Sequence, residues 1–573
     1  MFLNTVTEKH PYKTAGLIGL LALIVVYMRL EPTLPTIMGD ELVYLVQSRH
    51  TAPEDSALPN YLFSFVYSSS LLVGVEFYWF IKLLSFVFLF GFGAIVFLLA
   101  KKIFSFWLAL LVTTASVIGP VSLYGSVFMP EAMYMFFALL SFYIVLIAPA
   151  GPLKRSWPWV LGAGFALAMT SLVKPHALFL LLGFALFYIF GSKWRTIGLL
   201  DRALVASSFV FSTIIFKLIG GFLFAGTAGL TLFGGYGSVA GLFERFLELI
   251  GVIESSDLGQ AAPSAEQEVI SYERASDNAG LFELFFQQFG LHFLTVGFLL
   301  APVWYVFFST KFSVKNSLAE LALISFGTMM LVISAFGAYV TLTGDDHTDR
   351  ILLRYYEFLI PVVFLGAYQV LREKHPEGVL KYIFFGVFLI SAVLISANGI
   401  ANIDPKLSDS SYLVGIFDNL DMRWLYSAAL VAVFLFILGS PAKLAQYTAT
   451  TIAVATIFAG LSAQQNQLDI NSTPIGSDFA GQYIRDEFPD VPGDEILVVG
   501  SDKQLVEASI FWMDRSGVDF ELYSSGSILP ESQIPEGKTV VVQILGVRLD
   551  KVQTNDVKGD DFIISFLDED PPK

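Results

Sequence analysis

At 573 residues the chain is 55% hydrophobic and only 15% charged, with 55 Phe and no Cys. So few charges cannot cover the surface of a soluble protein of this length, which excludes secreted and cytosolic enzymes and nucleic-acid-binding modules. Without Cys there are no disulfides, thiol nucleophiles or Cys-ligated metals. The net charge of −16 is concentrated at the end: 465–573 holds 21 Asp and Glu against 8 Lys and Arg, behind a nearly neutral body.

Apolar runs of bilayer-crossing length recur along that body, the mark of a polytopic α-helical membrane protein. The first, Ala15–Leu30, follows Lys9, His10 and Lys13 and precedes no small-residue cleavage site, so it is expected to remain as a span. Further spans are expected near 77–100, 104–119, 131–149, 157–173, 177–191, 203–226, 287–309, 317–341, 353–371, 381–398, 423–439 and 444–461, about thirteen in all. With the N-terminus in the cytoplasm, every inner loop is basic: Lys101-Lys102, Lys154-Arg155, Lys193 with Arg195 and Arg202, Lys311 and Lys315, Arg372 with Lys374 and Lys381, and Lys443. Outer loops collect acids, among them Asp40, Glu41, Glu54, Asp55, Glu76, Glu131, Asp345, Asp346 and Asp349, with Arg29, Arg49, Lys174 and Arg350 as exceptions. An odd number of spans then puts the acidic C-terminus outside, in the periplasm or its equivalent. The expected domains are a transmembrane unit over 1–464 and an acidic extracytoplasmic α/β domain over 465–573.

Two outer segments are too long to be simple connectors. Residues 31–76 carry four prolines and then Tyr61–Val75, a Ser-rich aromatic stretch expected to lie as an interfacial helix. Residues 227–286 begin Gly-rich (Gly234, Gly235, Gly237) and continue through amphipathic patches at Leu242–Ile253 and Leu281–Phe289. A transporter gate or an active-site roof would both look like this. In the C-terminal domain, Glu495–Gly500, Phe520–Tyr523, Thr539–Leu545 and Asp561–Phe566 read as strands and Lys503–Arg515 as a helix, a small α/β sandwich with no nucleotide-binding motif.

Four outer motifs carry candidate chemistry. In Met38-Gly39-Asp40-Glu41-Leu42-Val43-Tyr44, adjacent carboxylates repel and raise the pair's apparent pKa, which suits a general base; the alternative is a helix cap. Glu131 in Met129-Pro130-Glu131 opens a span, either complementing the helix N-terminus or facing the same outer region. Lys174 in Lys174-Pro175-His176 stands on the side where cations are few, either snorkelling to the interface or holding an anion. Arg354 and Tyr355 begin another span; they form an interfacial belt or grip a lipid phosphate bidentately. Each motif lies at the outer end of a span, so the helices can deliver carboxylates to activate an acceptor and cations to hold a phosphate leaving group.

The order of these motifs resembles that of the GT-C superfamily of integral-membrane glycosyltransferases, in particular lipid A aminoarabinose transferases and protein O-mannosyltransferases. The resemblance rests on Asp40-Glu41 with Tyr44 after the first span, Pro130-Glu131, Lys174 in an outer hinge, and Arg354-Tyr355 followed by Pro361, and it covers roughly residues 1–460. The chain departs from the family at Pro59-Asn60-Tyr61, where a Lys-Pro-Pro pattern is usual. The resemblance implies a GT-C-like fold, with 31–76 and 227–286 roofing the active site. It also implies an inverting glycosyltransferase, moving a hexose or pentose from a polyprenyl-phosphate donor to a hydroxyl of a lipid, glycan or protein at the outer face. Asp40 would be the base, Glu41, Tyr44 and Glu131 would shape the site or bind acceptor and sugar, and Lys174, Arg354 and Tyr355 would bind the lipid phosphate. No cofactor is required and no nucleic acid is a partner; assistance by a divalent cation stays open. The acidic C-terminal domain is expected to stand off the membrane and roof the cavity or guide the acceptor. A transporter or lipid flippase is the rival reading, whose mark would be paired ionisable residues within spans; Lys82 and Lys217 are the main charges within apolar runs and have no partner carboxylates visible in the sequence.

Overall fold

The computed structural model describes residues 10–36, 38–233, 281–300, 303, 316–342, 350–373, 386, 406–407, 409–417, 420–439, 444–550, 556–559 and 561–567. Outside them lie the expected span at 381–398, apart from residue 386, and most of the 227–286 segment, including Gly234, Gly235, Gly237 and Leu242–Ile253. The inner Lys311, Lys315, Lys374, Lys381 and Lys443 and the outer Asp345, Asp346 and Asp349 lie outside them too.

The helices of the body follow the apolar runs. In chain order they are α1 (Pro11–Leu30), α2 (Met38–Arg49), α3 (Tyr61–Tyr67), α4 (Phe77–Ala100), α5 (Phe106–Ile118), α6 (Glu131–Ile147), α7 (Leu153–Val173), α8 (Leu180–Phe190), α9 (Leu199–Ala225), α10 (Leu281–Leu299), α11 (Ser317–Leu342), α12 (Ile360–Glu373), α13 (Ser411–Phe417), α14 (Leu420–Gly439) and α15 (Leu444–Asn471). Among the described residues, six stretches are long and apolar enough to cross a membrane: Pro11–Leu30, Tyr61–Ala100, Leu153–Val173, Pro175–Thr196, Leu199–Gly229 and Ser317–Ala338. Four shorter apolar helices accompany them, Phe106–Ile118, Glu131–Ile147, Glu357–Leu371 and Arg423–Val433. The chain is a multi-pass membrane protein, with a helix at each expected span that falls on described residues.

Local chemistry explains where these helices stop. The last carbonyls of α1 would be bare at its C-terminus. The buried Lys82 ammonium of α4 caps them, donating to the carbonyls of Leu30, Glu31 and Thr33 at 3.4, 2.6 and 2.5 Å. Lys217 likewise donates to the Ser171 carbonyl at 3.0 Å. Both intramembrane lysines therefore tie helices together. Helix α7 ends where Lys174 turns extended ahead of Pro175, as a residue preceding proline prefers. The Tyr61–Val75 stretch is not one interfacial helix: α3 gives way to tight turns over Ser68–Glu76, and the chain kinks at Gly74, whose φ of 58° a side chain would disfavour. Tyr61, Phe63 and Tyr67 are buried while Phe65, Leu71, Leu72 and Val75 are exposed, so the segment packs inward on one side and leaves an apolar side out.

Beyond α15 the chain builds a mixed sheet of order β2-β1-β4-β7-β6 from β1 (Ile496–Gly500), β2 (Asp519–Leu522), β4 (Val540–Ile544), β6 (Val557–Lys558) and β7 (Phe562–Phe566). Strands β2, β1 and β4 run parallel, and β7 is antiparallel to β4 and to β6. The short pair β3 (Ile528–Leu529) and β5 (Arg548–Leu549) forms a second, parallel ribbon. Strands β1 and β4 are buried throughout, as expected of parallel strands covered on both faces. Helices α16 (Gly476–Glu487) and α17 (Lys503–Met513) cover one face through Ala480, Ile484, Val506, Ile510 and Met513. The strands and the 503–515 helix expected from sequence match β1, β2, β4, β7 and α17, while α16, β6 and the ribbon are additions.

Candidate active site

Everything at the site hangs on α2. Its twelve residues carry a different partner on each face. The buried Glu41 points inward, where its carboxylate accepts the Thr36 and Phe128 backbone N–H groups at 2.7 and 2.6 Å and the Tyr78 hydroxyl at 3.2 Å. Leu42 packs on the core of the C-terminal domain. Tyr44 meets Phe63 of α3 edge-on, with centroids 5.4 Å apart. Asp40, with a side chain 42% exposed, accepts a 3.0 Å hydrogen bond from the Arg354 guanidinium. The neighbouring carboxylates are thus turned apart. Asp40 departs from the raised pKa expected of a repelling pair: burial pushes its carboxyl up, but the Arg354 contact, with Lys174 and Arg350 behind it, outweighs burial and holds it below its usual value.

Arg354 links α2 to α6. The same Nη1 that binds Asp40 lies 3.8 Å from Glu131 Oε1, which in turn is 2.5 Å from Lys174 Nζ. Two carboxylates and two cations therefore form one continuous, charge-balanced chain. Lys174 and Glu131 are both buried, where an unpaired charge would be costly. Tyr355 floors this chain: the Lys174 ammonium sits 4.5 Å from its ring centroid, the Arg354 guanidinium 5.3 Å, and the His176 ring lies 4.4 Å away. The Tyr134 hydroxyl of α6 donates to the Tyr355 carbonyl at 2.7 Å. Two atoms within the chain keep spare capacity: Glu131 Oε2 and Arg354 Nε are buried without a hydrogen-bond partner. Each such atom costs about 1–3 kcal/mol when unmet, so the arrangement favours a ligand that can reach it.

The loop bearing Arg354 is held from below. The Arg354 backbone N–H donates to the Asp409 carbonyl at 2.8 Å, while the Asp409 carboxylate takes the Arg350 guanidinium at 2.6 and 2.8 Å. The buried Glu357 accepts the Ser410 and Ser411 hydroxyls at 2.7 and 3.2 Å. Among the described residues, no group of three His, Asp or Glu side chains is arranged to hold a metal ion.

The C-terminal domain reaches into this region and does not merely roof it from a distance. Arg49, at the end of α2, makes a bidentate pair with Asp514 at 2.5 and 2.8 Å, and His50 Nε2 lies 2.8 Å from the same carboxylate. Phe77 and Tyr78 pack on Phe511 and Trp512 with centroids 5.6–6.2 Å apart. At the other end of α2 the buried Glu507 faces Gly39, where a Cβ would sit 3.6 Å from Oε1. Burial, helped by Asp40 nearby, pushes the Glu507 carboxyl up despite Lys503. Asp514 lies the other way: burial raises it, but His50 and Arg49 pull it below its usual value. Sequence reasoning missed this grip, yet a signal was present. The four cations expected on the outer side against the inner-positive pattern all have partners: Arg29 on Gln465 at 2.9 Å, Arg49 on Asp514, Lys174 on Glu131 and Arg350 on Asp409.

No family model matches the sequence, and no curated protein matches it either. Solved structures do match. The chain superposes on ArnT from Cupriavidus metallidurans, solved with undecaprenyl phosphate bound, with a TM-score of 0.51 at 13% identity, covering 92% of each chain. The chain has the GT-C fold. Two structures of the Archaeoglobus fulgidus oligosaccharyltransferase are also similar. One is AglB in complex with an inhibitory peptide and a dolichol-phosphate, with a TM-score of 0.39, and the other is the apo form, with a TM-score of 0.41. Each is 13% identical and matched over 94% of this chain and 70% of its own. Their scores are too low to add to the fold assignment.

Proposed function

We propose that the chain is an inverting membrane glycosyltransferase that moves a sugar from a polyprenyl-phosphate donor to a hydroxyl acceptor at the outer face. One observation carries this reading: Arg354 bridges Asp40 and Glu131 while Lys174 holds Glu131, joining an accessible carboxylate to two cations over an aromatic floor. Arg354 offers a planar fork suited to a phosphate, and Lys174 a second positive charge. A donor phosphate drawn to Arg354 takes the place of Asp40 on the guanidinium and releases that carboxylate. Asp40 then removes the acceptor proton as the hydroxyl oxygen attacks the anomeric carbon. The sugar–phosphate bond breaks, and its electron pair leaves on a phosphate oxygen that Arg354 and Lys174 stabilise. Glu131 and Asp40 favour the positive charge that develops on the sugar ring. Tyr355 supports the two phosphate-binding cations from beneath, and Tyr44, packed on Phe63, holds α2 beside the site. Glu41, saturated by backbone N–H groups, fixes the start of α2 and acts as a positioning residue. On this reading the N-terminus is in the cytoplasm and the C-terminal domain outside the cell membrane. No nucleotide sugar is needed.

The test is transfer of radiolabel from a panel of polyprenyl-phosphate hexoses and pentoses, using purified full-length protein and membrane extract as acceptor, with and without a chelator. The expected result is labelled product from at least one donor and none from the matching nucleotide sugars. Label that crosses sealed vesicles unchanged, with no product, would favour a flippase. The chelated arm decides whether a divalent ion assists.

A further inference from the structure

The departure at Pro59-Asn60-Tyr61 leads into a segment whose polar atoms the site above does not use. Asn60 is 1% exposed and Ser64 is 8% exposed. Neither Asn60 Oδ1, Asn60 Nδ2 nor Ser64 Oγ has a hydrogen-bond partner. Asn60 immediately precedes α3 and Ser64 lies one turn further on, so the two stand on the same side of the start of α3. On α2, Asp40, Tyr44 and Gln47 form a similar stripe at i, i+4 and i+7, and the buried Gln47 Oε1 also lacks a partner.

Packing places this segment among the site's own supports. Tyr44, one turn after Asp40, meets Phe63. Phe128, three residues before Glu131, lies 5.8 Å from Phe63 and 5.7 Å from Tyr67. Tyr61 packs with Leu172, two residues before Lys174. The three chain segments that deliver Asp40, Glu131 and Lys174 thus surround α3. Burying an amide and a hydroxyl unpaired beside such a cluster is costly unless something meets them.

The chemistry of the unmet atoms selects the ligand. Asn60 supplies two N–H donors and one acceptor, and Ser64 one donor and an acceptor. Glu131 Oε2 and Gln47 Oε1 add acceptors, and Arg354 Nε a donor. A prenyl chain can satisfy none of these, and a phosphate satisfies only the donors. A ring of hydroxyls, each able to give and accept, satisfies both kinds. The segment packs against Leu172 of the membrane body, the side from which a lipid-linked donor enters, so these hydroxyls are assigned to the donor sugar.

We propose that Asn60 and Ser64 form a subsite that reads the hydroxyls of the donor sugar beside the Asp40–Arg354–Glu131–Lys174 chain. This rests on the glycosyl-transfer reading. Equilibrium binding to the purified full-length protein tests it, with sugar-free undecaprenyl phosphate and its glucosyl, mannosyl and arabinosyl esters as probes. The wild type is expected to prefer at least one sugar-bearing probe by about tenfold or more, as hydrogen bonds to buried polar groups allow. In Asn60→Leu and in Ser64→Ala that preference should shrink towards unity, with sugar-free binding unchanged and the melting temperature equal or higher, because an apolar isostere removes unmet groups. Retained preference in both variants overturns the subsite, as does a loss shared by the sugar-free probe together with a lower melting temperature. Retained donor preference with a raised KM for acceptor also overturns it, assigning the hydroxyls to the acceptor. Wild-type protein that binds none of the probes overturns the glycosyl-transfer reading itself, and the subsite with it.

Discussion

The two ends of α2 carry ion pairs of opposite design. At its C-terminal end, Arg49 grips Asp514 bidentately, both side chains are at most 10% exposed, and His50 adds a second contact. At its N-terminal end, Asp40 holds Arg354 through one 3.0 Å contact, keeps 42% of its side chain exposed, and shares the guanidinium with Glu131. The first pair is saturated and sealed, as a joint should be. The second is under-bonded and open, so an incoming anion can take its partner. On the proposed reading, saturation and access separate a structural ion pair from a working one, while charge and spacing in the sequence look alike.

Substitutions at either end should show this difference. The largest stability effect should come from the buried link behind the working pair. Lys174→Met takes from the buried Glu131 its nearest cation, leaving only the Arg354 guanidinium at 3.8 Å, and should cost about 3–5 kcal/mol in thermal unfolding. The double variant Lys174→Met/Glu131→Leu should recover much of that loss. If the single variant melts like wild type, Glu131 is not the committed partner of Lys174.

Breaking the joint should cost less and show in catalysis. Asp514→Asn should lower the melting temperature and reduce kcat severalfold while leaving donor affinity unchanged, because Arg354 and Lys174 belong to the body. The pH dependence has a definite sign. Asp514 titrates below its usual value when folded, so its contribution is present above the ordinary Asp range and is lost as pH falls through the folded value. The wild-type melting temperature should therefore fall more steeply than that of Asp514→Asn on acidification. Parallel curves would show that the pair does not hold the two parts together. The smallest effect belongs to Glu507, whose carboxyl is raised, so its charging opposes folding as pH climbs past the ordinary Glu range. Glu507→Gln should gain stability relative to wild type as pH rises from about 4 to 7. A relative loss over that window would mean that a cation pairs with Glu507 more strongly than Lys503 does.

Much of this fold was legible because bilayer-length apolar runs and alternating strand signals are strong patterns. Helices sit where the runs predict them, and β1, β4 and β7 sit where short β-rich runs predict them. Asp40, Glu131, Lys174 and Arg354 were legible as outer-end charges, and the structure brings them into one chain. What stayed hidden depends on direction. Spacing cannot tell that Glu41 turns into backbone N–H groups while Asp40 turns out, because that follows from which neighbours pack on each face of α2. The Arg49–Asp514 joint spans 465 residues of sequence, beyond any local pattern. Its one trace in the sequence is Arg49, a cation in a loop that the charge pattern assigns to the outer side.

If Asp40 is the base of a transfer reaction whose donor is held by Arg354 and Lys174, removing its charge should separate binding from turnover. The most direct measurement compares wild type with Asp40→Asn, using whichever polyprenyl-phosphate sugar the wild type turns over, and following donor binding and product formation in the same preparation. Donor affinity should be at least equal to wild type, since Arg354 is freed for the phosphate, and turnover should be lower by ~10²–10⁴-fold. Asp40→Asn turning over at the wild-type rate while Glu41→Gln is inactive would contradict this and move the base to Glu41.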